Sequence, residues 1–174
     1  MVIKPSPCTP YTGWLIGDMF REAGAPAGLV NVVLGGKDVG RAIVEHPDIQ
    51  AISITSSCEV GHAVNVRCAE LGKACQAEMG GCNATILTES WWEQEERRSG
   101  FIRDIIGAFA GAGGQRCTST QRLFIPRAIY DEVVGALVAD AQAINDGTNE
   151  HVGGIKEFVG PLVDGAARAR VRLQ

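Results

Sequence analysis

No apolar run in this sequence approaches the ~20 residues that a membrane-spanning helix needs, so a chain that threads a bilayer by helices is not expected. The N-terminus, MVIKPSPCTP, lacks the apolar stretch of a secretory leader, and a cytoplasmic location is expected. No basic patch is present, and the net charge is −4 with a sequence pI near 5.4, which argues against nucleic acid as a partner. No two cysteines have the C-x₂₋₄-C spacing of a zinc pair, and His46, His62 and His151 are scattered, so no metal site is expected. Internal repeats and low-complexity linkers are missing too.

What is present is a chain of 174 residues with 45% hydrophobic and 21% charged content, enough to bury a core and too apolar for disorder. Six cysteines, at 8, 58, 68, 75, 82 and 117, are expected to be reduced and mostly inert, since a free thiol packs as a small hydrophobe. The sevenfold spacing of Cys68, Cys75 and Cys82 crosses a helix end and is not one helical stripe.

Helical and strand patterns alternate. Thr9-Pro10 reads as an N-cap and first helical residue, with Leu15, Ile16, Met19, Phe20 and Ala23 following at helical spacing until Gly24 and Pro26. GLVNVVLGG reads as a buried strand, and Asp38 as a cap for a helix carrying Ala42 and Ile43. IQAISIT reads as a second buried strand, followed by a helix from about 59 to 71 and apolar segments at 74–77 and 84–88. A long helix is expected from about 93 to 109, a strand at QRLFIP, a helix over 129–144, and a loop over 145–160. In WWEQEERRSG, two tryptophans precede five charges in six residues, which reads as an exposed first helical turn anchored by the tryptophans. The alternation predicts an α/β fold, a parallel sheet with flanking helices.

Ligands of open parallel sheets bind beyond the carboxyl ends of the strands, and three loops fall there. In LGGKDVG, Gly35, Gly36 and Gly40 permit close approach to a phosphate, or form a plain tight turn. In TSSCEVG, Thr55, Ser56 and Ser57 offer hydroxyls to a phosphate, or cap the next helix. In EMGG, Glu78 is a general base at a strand end, or a solvated turn residue. A fourth stretch, AGAGGQRCTST, sets Cys117 between small residues and hydroxyls. Either the sulfur is open to a reactant or the segment is a close packing point. Thr118, Ser119 and Thr120 would begin a helix whose N-terminus, with Arg116 beside it, favours a thiolate, while burial of the other five cysteines would make them less reactive.

In this order, KPSPCTP, EAGAPAGLVNVV, ISITSSCEVG, EMGGCNATI, GGQRCTST and GPLVDGAARARV resemble the aldehyde dehydrogenase superfamily. LGGKDVG and GQRCTSTQRLFIP resemble its α-aminoadipic semialdehyde dehydrogenase branch most. The resemblance implies a partial Rossmann-like dinucleotide-binding domain over 1–77 and a partial catalytic domain over 78–174. It implies NAD or NADP as cofactor, a small-molecule aldehyde as substrate and a homo-oligomer. Position by position it makes Cys117 the nucleophile and Glu78 the general base. Lys4 would hold the cofactor's adenosine ribose, Ser57 would lie near the pyrophosphate and Val60 near the adenine, with Gly36 and Gly40 completing the cofactor site. The chain departs from the family pattern at Ser56, which replaces a glycine, and at Pro7, which stands where many members carry a glutamate. The spacing from Glu78 to Cys117 is about one helical turn longer than usual, and the family's oxyanion asparagine and E-x-F motif lie outside the chain. An internal fragment is therefore expected, with uncovered sheet edges and apolar surface. Two other functions remain open: a non-catalytic nucleotide-binding or interaction module, and a cofactor-independent thiol esterase.

Overall fold

The computed structural model describes residues 1–148 and 158–172. Most of the expected loop at 145–160, with His151, lies outside them. The chain folds as two compact units, Met1–Met79 and Gly80–Gln174. Both are α/β, with parallel strand pairs and flanking helices.

In the first unit, β1 (Val2–Ile3) pairs in parallel with β2 (Asn31–Val32), and α1 (Pro10–Glu22) connects them. Thr9 occupies the N-cap of α1 with Pro10 at the first helical position, but the Thr9 hydroxyl makes no capping bond. β2 is shorter and less buried than its apolar run suggests: only two residues pair, because β1 offers only two partners, and Val33 and Leu34 are exposed. Next comes α2 (Lys37–Glu45), with Gly36 and not Asp38 at its N-cap; Asp38 lies in the first turn, where its charge suits the helix dipole.

The second pair of this unit carries a longer ladder. β3 (Ala51–Thr55) runs parallel to β4 (Ala74–Glu78), in register from Ala51 opposite Ala74 to Thr55 opposite Glu78. α3 (Cys58–Glu70) crosses between them. IQAISIT is not a fully buried strand: Ile52 and Ile54 of β3, with Cys75 and Ala77 of β4, are half-buried, while the alternate residues are exposed, the period-2 pattern of a sheet covered on one face. Two cations tie the connections. The Lys73 Nζ donates to the carbonyls of Val44 at 2.6 Å and His46 at 2.7 Å. Arg67 grips both carboxylate oxygens of Glu45 at 2.7 Å and reaches Glu70 at 2.8 Å, which holds the Glu45 carboxyl below its usual range.

The second unit pairs β5 (Asn83–Ile86) in parallel with β6 (Thr120–Phe124). Between them lie α4 (Glu89–Trp92) and α5 (Glu95–Ala110); α6 (Tyr130–Asp146) and α7 (Gly165–Arg172) follow. The single helix expected near 93–109 is thus preceded by a separate turn of helix. The break at Glu93 and Gln94 lets Trp92 turn inward, 3% exposed, while the charges of EQEERR stay in solvent or at the rim. Trp91 and Trp92 pack on Phe101 at 5.3 and 6.0 Å between ring centroids. Arg98 lies 5.1 Å from the Trp92 ring, donates to the Trp92 carbonyl at 2.7 Å and pairs with Glu132 of α6 at 2.6 Å. The core beneath is Leu87, Trp92, Ile102, Ile106, Val133 and Ile144, drawn mainly from α5 and α6.

Candidate active site

The segment carrying Cys117 is built by its glycines. Beyond α5 the chain tightens into a 3-10 turn, Gly111–Gly114, in which Ala112, Gly113 and Gly114 all take left-handed backbone angles, φ 55°, 66° and 68°. A side chain at 114 would place its Cβ 2.6 Å from the Phe109 carbonyl oxygen, so only glycine fits both the angle and the space. Gln115 locks the turn, donating from Nε2 to the Ala112 carbonyl at 2.9 Å and accepting from the Val163 N–H at 3.3 Å.

Cys117 itself is exposed. No helix begins behind it: Thr118 and Ser119 lie in a turn closed by the Ser119 N–H to the Arg116 carbonyl at 3.1 Å, and Thr120 starts β6. The helix N-terminus expected there is absent, because pairing with β5 draws Thr120 into the ladder opposite Asn83, and the two threonine hydroxyls of Thr85 and Thr120 meet at 3.1 Å. What fixes the Cys117 segment is instead Asn83. Its Nδ2 donates to the Cys117 carbonyl at 2.6 Å and to the Ser119 carbonyl at 3.1 Å. Sequence reasoning missed this residue, since an asparagine at the start of a strand carries no spacing signal. Nor are the other five cysteines uniformly buried, as expected: Cys68 is buried and Cys75 half-buried, but Cys8, Cys58 and Cys82 are exposed.

A cleft of about 600 Å³ opens in the same unit, lined by Arg103, Asp104, Gly107, Ala108, Gly111, Arg116, Thr118 and Phe158. Two residues of its wall, Arg116 and Thr118, flank Cys117 in sequence. Among the described residues Arg116 has no ion pair, and Arg103 has only the long 3.9 Å contact with neighbouring Asp104.

Of the three strand-end loops named from the sequence, LGGKDVG and TSSCEVG fall in the first unit, and EMGG begins there with Glu78 and Met79. Lys4 follows β1, and its Nζ donates to the carbonyls of Pro5 at 2.9 Å and Gly35 at 3.3 Å. An ammonium has three donors, so one is left for a ligand hydroxyl. Gly40 lies under the same side chain: a Cβ there would sit 3.4 Å from the Lys4 Cε. Beside Gly36 no atom lies within 4 Å of an added Cβ, so the backbone is open to an incoming group. Ser57 is the N-cap of α3 and its Oγ accepts from the Val60 N–H at 3.3 Å. That bond uses an Oγ lone pair and not the hydroxyl proton, which rotates freely, so capping and donation to a phosphate oxygen are compatible here. Val60 is 42% exposed, an apolar surface beside that terminus. Glu78 ends β4 with an exposed side chain, and its carbonyl accepts from the Ser56 N–H at 3.0 Å. No group of metal-ligating side chains occurs among the described residues.

The comparisons fit this geometry. The family model for the aldehyde dehydrogenase family matches residues 1–173. A malonate-semialdehyde dehydrogenase of Geobacillus thermodenitrificans is 36% identical over 171 residues, 97% of this chain and 33% of the relative. A 2-hydroxymuconic semialdehyde dehydrogenase of a Pseudomonas species is 36% identical over 173 residues, 98% of this chain and 34% of the relative. The crystal structure of a Mycobacterium tuberculosis aldehyde dehydrogenase complexed with NAD⁺ superposes with a TM-score of 0.83 at 31% identity, covering 98% of this chain and 34% of that one. The chain spans about a third of the length of the relatives it matches. It belongs to the aldehyde dehydrogenase family.

Proposed function

We propose that the protein oxidises an aldehyde bearing a distal carboxylate to the corresponding acid, with NAD or NADP, using Cys117 as nucleophile. The observation that supports this most is the segment around Cys117: an exposed thiol on a backbone of small left-handed residues, with its carbonyl tied down by Asn83. The Cys117 sulfur attacks the aldehyde carbon and forms a tetrahedral thiohemiacetal, and loss of hydride leaves a thioester. A bound nicotinamide dinucleotide supplies the hydride acceptor. Lys4, Gly36, Gly40, Ser57 and Val60 are the residues we assign to holding it. Glu78 is the proposed base that takes a proton from the water that hydrolyses the thioester. The division into a cofactor part, 1–77, and a catalytic part, 78–174, belongs to the same proposal.

The substrate class follows from the cleft. Arg103, Arg116 and Thr118 in its wall suit a carboxylate, which guanidinium groups bind by paired, charge-assisted hydrogen bonds. The relatives quoted above are named for semialdehydes that carry such a group. Within that class we place the chain with the α-aminoadipic semialdehyde branch, through LGGKDVG and GQRCTSTQRLFIP.

The test compares a carboxylated semialdehyde with a neutral aldehyde of equal length, following the absorbance of reduced cofactor. Arg116→Ala is expected to raise KM for the semialdehyde about tenfold to a hundredfold, the value of one charged hydrogen bond, and to leave the neutral aldehyde unaffected. Equal effects on both substrates would remove the carboxylate from the proposal. Cofactor-independent ester hydrolysis with no cofactor reduction would favour the thiol esterase, and neither activity the non-catalytic module.

The proposal includes a cytoplasmic homo-oligomer. No helix among the described residues is long and apolar enough to cross a membrane. Tyr11, Trp14, Leu15 and Met19 of α1 are 37–68% exposed, an apolar face that self-association would cover. Light scattering is expected to show a mass above that of the monomer; a single monomeric species across the concentration range sinks this part.

A further inference from the structure

Two peptide planes meet at the Cα of Cys117, and the structure pins both. The plane before it carries the Arg116 carbonyl, which accepts from the Ser119 N–H at 3.1 Å. The plane after it carries the Cys117 carbonyl, which accepts from the Asn83 Nδ2 at 2.6 Å. A peptide unit is rigid and planar, so holding the carbonyls on both sides fixes the backbone dihedrals at residue 117. With them it fixes the direction of the Cα–Cβ bond, and hence the region that the thiol can sweep. Asn83 spends both of its amide hydrogens on this turn, since the same Nδ2 also donates to the Ser119 carbonyl at 3.1 Å.

The surroundings are shaped for that amide. Gly81 lies against it: a Cβ there would sit 3.1 Å from the Asn83 Oδ1 and 3.1 Å from the Cys117 carbonyl oxygen, closer than a carbon packs without strain. The β5–β6 ladder slips by one residue at the same point. Asn83 stands opposite Thr120 and Ala84 opposite Arg122, so Gln121 is left over. Such a bulge bends a strand and re-aims its side chains. From β6, Arg122 returns the grip. Its Nε and Nη2 donate to the Cys82 carbonyl at 3.2 and 2.8 Å, which holds the residue before Asn83.

We infer that Asn83 is a positioning residue: it aims the Cys117 thiol at a substrate carbonyl, without touching the substrate and without making the thiol more reactive. The inference rests on Cys117 being the group that attacks. Attack on a carbonyl demands a direction, because the sulfur must meet the trigonal carbon from one face while the oxygen meets its donors. Alkylation by a small halide demands only that the sulfur be exposed and ionised. Asn83 carries no charge, and its donors are committed to backbone carbonyls. It therefore governs the first reaction and not the second.

The test compares these two reactions at one sulfur, with neither cofactor nor aldehyde present. In the first, p-nitrophenyl acetate acetylates Cys117: the thiolate displaces nitrophenolate and keeps the acetyl group as a thioester. In the second, iodoacetamide alkylates the sulfur and iodide leaves. Trypsin isolates the site as peptide 117–122, apart from the other five cysteines. In Asn83→Ala the acetylation rate is expected to fall about tenfold, the scale of a lost hydrogen bond, while alkylation stays within about twofold of the parent. Asn83→Asp keeps the shape but exchanges the donors for an acceptor, and is expected to lose at least as much. An unchanged acetylation rate overturns the inference and leaves Cys117 as nucleophile. Equal falls in the two reactions overturn it as well, because Asn83 would then set the exposure or ionisation of the thiol. A parent chain whose Cys117 takes no acetyl group removes the nucleophile itself, and the inference with it. If Asn83→Ala fails to fold, as judged by tryptophan fluorescence, Asn83→Asp decides by the same two rates.

Discussion

Replacing Cys117 by serine is expected to lower aldehyde-dependent cofactor reduction by about a thousandfold or more, the scale on which removal of a covalent nucleophile acts. A serine hydroxyl holds its proton far more tightly than a thiol, and this segment, residues 111–120, contains no histidine and begins no helix behind residue 117. The substitution is nearly isosteric and the site is exposed, so the fold should be unchanged. The measurement is the initial rate of cofactor reduction, accompanied by mass spectrometry for the acyl adduct on peptide 117–122. Limited alkylation with iodoacetamide gives a second check, with Cys117 labelled ahead of the other five cysteines. Activity within about tenfold of the parent, less than 1.4 kcal/mol in the barrier, would mean that another group attacks the aldehyde.

The second large effect is expected in the core. Ile106→Ala should destabilise the second unit by about 2–5 kcal/mol, the range for truncating a fully buried aliphatic side chain and leaving a cavity. Ile106 is 1% exposed, in the middle of α5, and belongs to the cluster with Leu87, Trp92, Ile102, Val133 and Ile144. Most of the cluster comes from α5 and α6, whose packed side chains cannot close the space without moving the helices. Urea unfolding followed by tryptophan fluorescence reports on it, because Trp91 and Trp92 lie in or against the same cluster. Val138→Ala, on the exposed side of α6 at 63% exposure, is the control and should stay within about 0.5 kcal/mol. Equal losses for the two would show that α5 is not the keystone of this core.

Much of the fold was legible because apolar spacing is a direct consequence of helix and strand geometry. The helices α1, α3 and α6 fall within a residue or two of their expected limits, and β3, β4 and β6 lie where their apolar runs lie. The failures share a cause: they depend on what a segment meets in space. Thr118 to Thr120 suit a helix start as well as a strand, and β5 decides for the strand. GLVNVVLGG has the composition of a buried strand, yet β1 pairs with only two of its residues. The exposure of Cys117 agrees with the small residues around it. Asn83 was not legible, since its role consists of two bonds to carbonyls more than thirty residues downstream. The shared wall of the cleft was hidden in the same way: Arg103 and Arg116 belong to different elements, and only folding sets them together.

Gly61 carries a constraint that reaches the candidate base. It is buried inside α3, and a Cβ there would lie 2.5 Å from the Met79 Cγ and 2.7 Å from its sulfur. Positions 61 and 79 are therefore one choice and not two. A lineage that gains alanine at 61 must shorten or swing the side chain at 79, and one that enlarges 79 keeps glycine at 61. Met79 directly follows Glu78, so each such exchange is made at the residue next to the carboxylate. The descendants open to this chain by small steps are thus those in which the helix face stays bare, and drift in the interior of α3 is held in check by the residue next to the proposed base.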